Sequence, residues 1–287
     1  MITNTHNFLK MNGLGNDFVV FDVRGTSARI GPNAARYVAN RKLGVGCDQV
    51  IVIEPSKRAD VFMRILNADG SEVGACGNAT RCVGALISRE TGRTETVIET
   101  AAGLLRSTAH ADGSVTIDMG PARLGWNDIP LARAFDDTAT LDLSFDDGKG
   151  GELSGPGAVS VGNPHCIFIV DDTDAYDLAE IGPRIERDGI FPERANISLA
   201  QITAPDVVKL RVWERGTGLT RACGTAACAA AVATVRKGLT NRRVTIGLPG
   251  GNLNIEWREQ DGHILMTGPW TLDYEDVFDF GETALAS

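Results

Sequence analysis

The chain repeats itself at a fixed spacing, and this internal repeat constrains its fold more than any other feature of the sequence. The stretch NDFVVFD begins at Asn16, and a similar polar turn followed by an apolar strand, NPHCIFIVDD, begins at Asn163, an offset of 147 residues (163 − 16). The same offset (223 − 76) carries the Ala-Cys-Gly sequence around Cys76 to the one around Cys223. A repeat of this length predicts two domains of one design.

Each half of the chain shows the same order of predicted elements: strand, helix, strand, Ala-Cys-Gly, a second helix and further strands. At the same offset, Gln49 aligns with Asn196 and Asn67 aligns with Glu214, each beside a predicted strand. A run of small and apolar residues follows each Ala-Cys-Gly, which is typical of a helix buried on all sides. We therefore predict an α/β fold of two pseudo-symmetric domains from an internal duplication, each a mixed β-sheet wrapped around a central helix.

The predicted domain boundary lies in a segment rich in glycine, proline and aspartate. We expect an N-terminal domain over residues 1–122 and a C-terminal domain over residues 123–273. The tail, residues 274–287, is predicted to return to the first domain. We expect the active site in the cleft between the domains, a common location for ligands. Alternating apolar patterns predict the later strands, at residues 97–103, 114–119, 243–248, 253–257 and 264–266.

Composition limits the classes of partner. The chain has 287 residues, six cysteines and a formal net charge of −9. This acidic balance argues against nucleic acid or an anionic membrane as the main partner, and no stretch approaches the roughly 18 apolar residues of a membrane span. The N-terminal sequence lacks a basic segment followed by an apolar run, so we expect a cytoplasmic protein without a signal peptide. Six cysteines are too sparse for a disulfide scaffold, so we expect free thiols.

Four of the cysteines do not recur at the repeat offset, and a cysteine of this kind is most often a small buried hydrophobe. These are Cys47, Cys82, Cys166 and Cys228. A metal site is the second interpretation. The spacings within the two cysteine motifs are C-x5-C and C-x4-C, which do not match the C-x2-C of common zinc sites. We therefore expect no metal.

The two recurring cysteines each stand where a helix is predicted to begin. The helix dipole and the free backbone N–H groups at that point lower the pKa of a thiol and bind a carboxylate. Two such thiols, one per domain, suit a racemase or epimerase, in which one group removes a proton and the other returns one. Nothing in the sequence requires a cofactor. The residues after each cysteine would allow close approach of a ligand: Gly77, Asn78, Gly224 and Thr225.

Six motifs, in order between Met11 and about Ala230, closely resemble the signatures of diaminopimelate epimerase. They are MNGLGNDFVVFD, GCDQ, RILNADGSEVGACGNATRC, GNPHC, ERANI and VWERGTGLTRACGTAACA. The resemblance implies an isomerase that interconverts LL- and meso-2,6-diaminoheptanedioate without a cofactor, in the route to lysine and peptidoglycan precursors. It also implies a cytoplasmic enzyme and a possible homodimer.

The resemblance further implies a role for each matching residue. Cys76 and Cys223 match the catalytic acid and base, and His165 and Glu214 match positions that tune the pKa of the cysteines. The expected substrate-binding residues are Asn16, Gln49, Asn67, Gly77, Asn78, Asn163, Asn196, Glu214, Arg215, Gly224 and Thr225. Ala79 and Ala226 depart from the family pattern, which often has glycine there, and their methyl groups raise the question of clearance for the substrate.

Two alternatives belong to other classes. Proline racemase and hydroxyproline epimerase use the same two-thiol chemistry, but their substrates lack a distal amino-acid end, so Arg215 with Asn163 and Asn196 favours diaminopimelate. The non-catalytic alternative is a redox-sensing or ligand-binding protein in which Cys76 and Cys223 form a reversible disulfide.

Overall fold

The computed structural model describes residues 5–280. The helices are α1 (Pro32–Ala39), α2 (Gly77–Thr91), α3 (Leu178–Glu186) and α4 (Gly224–Arg236), with a short 3-10 helix at Thr173–Ala175. The strands are β1 (Thr5–Gly13), β2 (Asn16–Asp22), β3 (Gln49–Glu54), β4 (Val61–Asn67), β5 (Glu72–Val73), β6 (Glu95–Thr100), β7 (Gly103–Ala109), β8 (Val115–Pro121), β9 (Ser144–Asp146), β10 (Glu152–Ser154), β11 (Gly157–Ser160), β12 (Pro164–Ile169), β13 (Asn196–Ala204), β14 (Val207–Glu214), β15 (Gly218–Leu219), β16 (Arg243–Leu248), β17 (Gly251–Trp257), β18 (His263–Gly268) and β19 (Thr271–Asp279). Among the described residues, no helix has the length and apolar character needed to cross a membrane.

The chain forms two compact units. One comprises Met1–Ile117 with Gly268–Ser287, and the other comprises Asp118–Thr267. The chain therefore leaves the first unit five residues before the expected boundary (122 − 117) and returns to it at Gly268. Within the first unit, β19 pairs antiparallel with β1. The end of the tail, residues 281–287, lies outside the described residues.

The central strands of the first unit's sheet, β2 and β3, are buried on both faces. Strand β1 pairs antiparallel with β2, and β2 pairs parallel with β3, which is antiparallel to β4. Strand β4 runs parallel to β6, which is antiparallel to β7. Successive side chains of a strand point to opposite faces. Phe18 and Val20 of β2 accordingly pack in the cluster around α2, while Val19 and Phe21 pack in the cluster around α1.

Helix α2 fills the centre of this unit. Its first nine residues, Gly77–Ala85, are all buried, and each large aliphatic side chain buried there contributes about 1.5–3 kcal/mol. Gly84 allows the helix to approach the sheet, because a Cβ at this position would lie 2.4 Å from Ser107 Oγ. The helix ends at Gly92, whose φ of 71° is the left-handed conformation that glycine adopts without strain.

The second unit repeats this plan around α4. Strand β11 is antiparallel to β12, β12 is parallel to β13, and β13 is antiparallel to β14. Strand β14 runs parallel to β16, and β16, β17 and β18 pair antiparallel in turn. Six of the ten buried residues of α4 are alanine, the strongest helix former. Its small side chains let strands approach closely, since a Cβ on Gly157 of β11 would lie 3.3 Å from Ala233 Cβ.

Strand register confirms the internal repeat residue by residue. In the parallel pair of the first unit, Phe18 is opposite Gln49. In the parallel pair of the second unit, His165 is opposite Asn196, and both residues lie at the 147-residue offset (165 − 18 and 196 − 49). The sequence therefore predicted the fold class correctly: two units, each a mixed sheet around a buried central helix.

The predicted later strands agree with the structure to within a few residues, with one exception. Residues 243–248 coincide with β16. The predicted strand at 97–103 is wrong at its end, because β6 stops at Thr100 and the chain turns through residues 101 and 102 before β7 begins. Two alanines at that turn gave no sequence signal of the break.

Candidate active site

Cys76 stands immediately before the first turn of α2. Its backbone is extended, with φ −147° and ψ 110°, and no side chain caps the helix at this position. The first turn of an α-helix carries backbone N–H groups that its own carbonyl groups cannot reach, so this end can bind an anion. The half-buried thiol donates to Asn16 Oδ1 across 3.8 Å. The Cys76 sulfur therefore lies next to both the N-terminus of α2 and the amide oxygen of Asn16.

The Asn16 amide is held by partners on both sides. Its Nδ2 donates to Asp48 Oδ2 at 2.9 Å, and its Oδ1 accepts from Asn78 Nδ2 at 3.3 Å as well as from Cys76. Asp48 in turn accepts from the Arg41 guanidinium at 2.8 Å. Sequence reasoning did not single out Asp48 as a site residue, although it lies in the GCDQ motif.

Gln49 and Asn67 form a pair at the same end of this sheet. The two residues are opposite each other in register on β3 and β4, and Gln49 Nε2 donates to Asn67 Oδ1 at 3.0 Å. Asn67 Nδ2 donates to Ser71 Oγ at 3.0 Å. The remaining oxygen of the pair, Gln49 Oε1, is buried without a hydrogen-bond partner. The predicted amides of the first unit therefore cluster where β2 and β3 begin and β4 ends.

Cys223 occupies the equivalent place before α4. Its backbone is also extended, with φ −134° and ψ 109°, and its side chain is 7% exposed. The first turn of α4 does act on this thiol in the expected direction, since the backbone N–H of Ala226 lowers its pKa, but other effects are larger. Burial raises the pKa of Cys223 well above its ordinary value, and the Glu214 carboxylate raises it further. The hydroxyl of Thr225, 3.5 Å from the sulfur, opposes these effects but does not cancel them.

A chain of polar contacts leads from Cys223 to His165. Thr225 Oγ1 accepts from Asn163 Nδ2 at 3.4 Å, and Asn163 Oδ1 lies 2.9 Å from His165 Nε2. Burial, with a smaller effect from Arg215, lowers the pKa of His165 to about 3. The imidazole is therefore neutral near pH 7, and the hydrogen bond places its single proton on Nε2, which donates to Asn163. The other ring nitrogen, Nδ1, is buried without a hydrogen-bond partner.

Asn196 organises the end of β14 next to this chain. Its Oδ1 accepts from the backbone N–H of Arg215 at 2.9 Å, and its Nδ2 donates to Pro164 O at 2.9 Å. The Arg215 guanidinium donates to Glu193 O at 2.9 Å. The Glu214 carboxylate accepts from the Thr220 hydroxyl. The buried Asn196 amide thus fixes the backbone that carries Glu214 and Arg215.

The other cysteines lie in the interior, as predicted. Burial raises the pKa of Cys47 and Cys82 to about 12 and raises that of Cys166 as well. Cys228 is fully buried in α4. Across residues 5–280, no group of three or more histidine, cysteine, aspartate or glutamate side chains is placed to hold a metal ion.

The alanines that depart from the family pattern also face the interior. Ala79 and Ala226 are both 0% exposed, and Ala79 packs in the apolar cluster around α2. The methyl group of Ala79 therefore fills space between α2 and the sheet, and that of Ala226 is buried.

The structure thus places the predicted residues in two groups, one in each unit. Each group has a thiol at a helix N-terminus, an asparagine amide from the preceding strand region, and a polar residue in the first helical turn. A thiol in this position can exchange a proton with a ligand whose anionic group occupies the helix N-terminus. His165 and Glu214 have no counterpart with the same chemistry in the first unit, where Phe18 and Asn67 stand at the equivalent positions.

Comparison with known proteins gives a consistent result. A family model described as diaminopimelate epimerase matches residues 8–125 and 157–272. The chain is 56% identical to the diaminopimelate epimerase of Rhodospirillum centenum over 264 residues, which cover 91% of this chain and 88% of that protein. It is 53% identical to the diaminopimelate epimerase of Acidiphilium cryptum over 272 residues, which cover 95% of this chain and 96% of that protein.

Solved structures of lower identity share the fold. A hydroxyproline epimerase from Agrobacterium vitis superposes with a TM-score of 0.69 at 16% identity, over 98% of this chain and 94% of that one. A phenazine biosynthesis protein of the PhzF family from Bacillus anthracis superposes with a TM-score of 0.68 at 17% identity, over 96% of this chain and 99% of that one. At these identities the likeness concerns the fold alone.

Proposed function

The chain belongs to the diaminopimelate epimerase family, and we propose that it interconverts LL- and meso-2,6-diaminoheptanedioate, with Cys76 and Cys223 as the proton-exchanging groups. The observation that carries this proposal is the placement of both thiols at equivalent positions of the repeat, each before a buried helix. The reaction is an isomerisation that needs no added cofactor, and it serves lysine and peptidoglycan precursor synthesis.

The proposed chemistry balances with two thiols and one substrate. One thiolate takes the proton from the α-carbon and becomes a thiol, while the other thiol gives its proton to the opposite face and becomes a thiolate. Inversion follows, because the proton leaves one face and another arrives on the other. In the reverse direction the two cysteines exchange roles. The raised pKa of Cys223, due first to burial and then to Glu214, keeps this residue a thiol near pH 7, so we assign it the acid role in the resting enzyme.

The helix N-termini supply the electrostatic part of the proposal. The α-proton of an amino acid is a very weak acid, and removing it builds negative charge on the α-carboxylate side of the substrate. Backbone N–H groups of Gly77, Asn78, Gly224 and Thr225 would stabilise that charge. We propose that the remaining predicted residues hold the distal amino-acid end, with Arg215 on its carboxylate.

The proline-specific alternative is not favoured. The relatives at about 50% identity carry the name diaminopimelate epimerase, with 53% identity over 95% of this chain in one case. The hydroxyproline epimerase shares only 16% of its residues with this chain, which supports a shared fold and not a shared substrate.

The decisive experiment follows the α-proton directly. LL-diaminopimelate is incubated with reduced protein in D2O without added cofactor, and proton NMR records loss of the α-proton signal together with formation of the meso isomer. A parallel tube contains L-proline. Exchange in the first tube alone supports the proposal, and exchange in the proline tube alone assigns a different substrate. No exchange in either tube, with the thiols verified as reduced, overturns the proposed diaminopimelate activity.

Variants then test the two thiols. Cys76→Ser and Cys223→Ser should each reduce epimerisation by several orders of magnitude. Cys82→Ala is the matched control, because Cys82 lies in the same helix as the Cys76 motif but is fully buried in the core. Normal epimerisation by either serine variant would remove that cysteine from the mechanism.

Location and assembly are proposals from the family resemblance. We propose a cytoplasmic enzyme whose ligand is a small molecule, with neither nucleic acid nor membrane as partner, and which forms a homodimer. Sedimentation velocity over a range of protein concentrations would measure the assembly state, and a concentration-independent monomer would contradict the dimer.

A further inference from the structure

The two asparagines of the repeat, Asn16 and Asn163, present opposite ends of their amides to the sites beside them. In the first unit, the carbonyl oxygen of Asn16 accepts from Asn78 Nδ2 and from Cys76 Sγ. In the second unit, the NH2 group of Asn163 donates to Thr225 Oγ1. The same residue type at equivalent positions therefore acts as an acceptor in one unit and as a donor in the other.

The partners behind the two amides account for this difference. An asparagine amide can rotate by half a turn, and its hydrogen-bond partners decide which end faces which way. Behind Asn163 is the buried, neutral imidazole of His165, whose Nε2 lies 2.9 Å from the amide oxygen and can donate to it. Behind Asn16 is the carboxylate of Asp48, which can only accept and therefore needs the NH2 group.

Asp48 is itself held in place, so it can impose this orientation. Its Oδ2 accepts from the backbone N–H of Asp17 at 3.1 Å, and its Oδ1 accepts from Arg41 at 2.8 Å. The backbone N–H of Asp48 donates in return to Asp17 Oδ1 at 3.0 Å. The carboxylate that faces Asn16 is therefore fixed by contacts to two other elements.

We propose that Asp48 is a positioning residue that orients the Asn16 amide so that its carbonyl oxygen, and not its NH2 group, faces the Cys76 sulfur. A carbonyl oxygen can accept from a thiol but repels a thiolate, whereas an NH2 group would donate to a thiolate. Asp48 thereby sets how readily Cys76 gives up its proton, although it does not touch the sulfur. This role deepens the proposed function, because it concerns one of the two reacting thiols.

Other charges near this thiol must be separated from the effect of the amide. Around Asn16 they are Asp48, Asp17, Arg41 and Lys10, and near α2 they include Arg81 of the helix itself and Asp273 of β19. Replacing Asp48 by alanine removes both the acceptor and a negative charge, and each change lowers the pKa of Cys76. Replacing it by asparagine removes the charge but keeps an oxygen where Asn16 donates. The difference between the two variants isolates the orientation of the amide.

The test measures the reactivity of Cys76 and needs no substrate. Intact protein is treated with iodoacetamide at a series of pH values, and mass spectrometry quantifies the label on Cys76. In Asp48→Ala the pKa of Cys76 should fall below that in Asp48→Asn by roughly 0.5–1 unit, the size of one ordinary hydrogen bond. Equal pKa values in the two variants would overturn the proposal and leave only a charge effect.

A double-mutant cycle keeps the test valid if one variant is destabilised. Asn16→Ala removes the carbonyl oxygen and should also lower the pKa of Cys76. In the Asn16→Ala background, Asp48→Ala and Asp48→Asn should then give the same pKa of Cys76. If the pKa of Cys76 still differs between these two double variants by as much as it does between the two single Asp48 variants, Asp48 acts without Asn16. Thermal unfolding of each variant confirms that the labelled protein is folded.

The same variants distinguish this inference from the proposed function. If the chain does not epimerise diaminopimelate, the alkylation profile still reports whether Asp48 orients Asn16. If the chain does epimerise diaminopimelate, Asp48→Ala should change kcat and shift the pH profile more than Asp48→Asn does. In both variants the effect on KM should be smaller than the effect on kcat. A purely structural role for Asp48 would lower activity and stability together and leave the pKa of Cys76 unchanged.

Discussion

The hydroxyl of Thr225 provides a sharp test of how the Cys223 thiol is used. Thr225 Oγ1 lies 3.5 Å from Cys223 Sγ and accepts from Asn163 Nδ2 at 3.4 Å. Because Asn163 donates to the Thr225 oxygen, the Thr225 hydroxyl proton is free to point at the Cys223 sulfur. A hydrogen bond from this hydroxyl stabilises a thiolate more than a thiol. Thr225→Val removes the hydroxyl and keeps both the branched shape and the backbone N–H.

The expected loss follows from the burial of this contact. Cys223 is 7% exposed, so water cannot readily replace the missing donor. A hydrogen bond to a charged group contributes about 1.5–3 kcal/mol, and we therefore expect proton transfer involving Cys223 to slow by roughly 10- to 150-fold. The pKa of Cys223, already raised by burial and by Glu214, should rise by roughly a further 1–2 units.

The assay compares both reaction directions across pH. Where Cys223 acts as the base it must first lose its proton, so that rate increases as the pH rises through the pKa of this thiol. In Thr225→Val the increase should move to higher pH, and the loss should appear in kcat more than in KM. Unchanged proton exchange at every pH in D2O would refute the reasoning.

Thr234→Val in the same helix is the matched control. Thr234 is fully buried, and its hydroxyl donates to Ala231 O at 3.0 Å and accepts from Thr240 at 2.8 Å. Its loss should reduce the free energy of unfolding by about 1–2 kcal/mol and leave the rate per folded enzyme unchanged. Rate losses of equal size in both variants would show that Thr225 acts only through the stability of α4.

Three further predictions concern single side chains. Burial alone would raise the pKa of Asp17, but hydrogen bonds from Arg41 and Lys10 outweigh burial and lower the pKa to about 2. The ionised Asp17 therefore contributes about 2 kcal/mol to the free energy of unfolding above pH 3.8, and this contribution is lost as the pH falls through 2. In urea unfolding at a series of pH values, Asp17→Asn should lose less stability in acid than the wild type does. Gly84→Ala should lower the free energy of unfolding by about 1–3 kcal/mol, because the new Cβ would lie 2.4 Å from Ser107 Oγ. Glu214→Gln should lower the pKa of Cys223, measured by thiolate absorbance, since it removes a negative charge beside a buried thiol.

Each of these has a contradicting outcome. An acid limb as steep in Asp17→Asn as in the wild type would mean that other carboxylates carry it. Gly189→Ala is the control for Gly84→Ala, because a Cβ at Gly189 would meet nothing within 4 Å; equal melting temperatures for both variants would contradict the close approach of α2. A pKa of Cys223 that stays the same or rises in Glu214→Gln would mean that the carboxylate is neutral or too distant to act.

The repeat offset was enough to predict the fold, because residues that are separated by the same offset occupy equivalent positions of paired strands in the two units. The 147-residue offset that relates Phe18 to His165 and Gln49 to Asn196 reappears as matching parallel pairs in the two sheets. The family motifs also identified the thiols and the amides beside them. Spacing determines which residues share a strand end, and this is why the sequence could predict which of these side chains lie close to each thiol.

The electrostatics of the site could not be predicted in the same way. The helix N-terminus suggested a lowered pKa for Cys223, but the balance depends on burial by residues distant in sequence and on the Glu214 carboxylate. Asp48 was missed for a related reason. Its role depends on which end of the Asn16 amide it faces, and a side-chain orientation leaves no trace in residue spacing. The raised pKa of Cys223 and the role of Asp48 both come from residues that differ between the two halves of the chain, whereas the repeat shows only what the halves have in common.

These differences have a chemical purpose in the proposed reaction. An epimerase with two thiols needs one of them protonated and one ionised at the start of each turnover. Two thiols that do not interact and have identical surroundings would share one pKa, and near that pH many molecules would hold two protons or none. The fold supplies two equivalent helix N-termini, and the substitutions at positions 18 and 165, and at 48 and 195, make their surroundings unequal. His165 and Asp48 stand where the other half has Phe18 and the buried Ala195. We infer that duplication supplied the two proton-exchanging groups and that their surroundings then diverged: burial and Glu214 hold the proton on Cys223, whereas Asp48, through Asn16, acts only on Cys76.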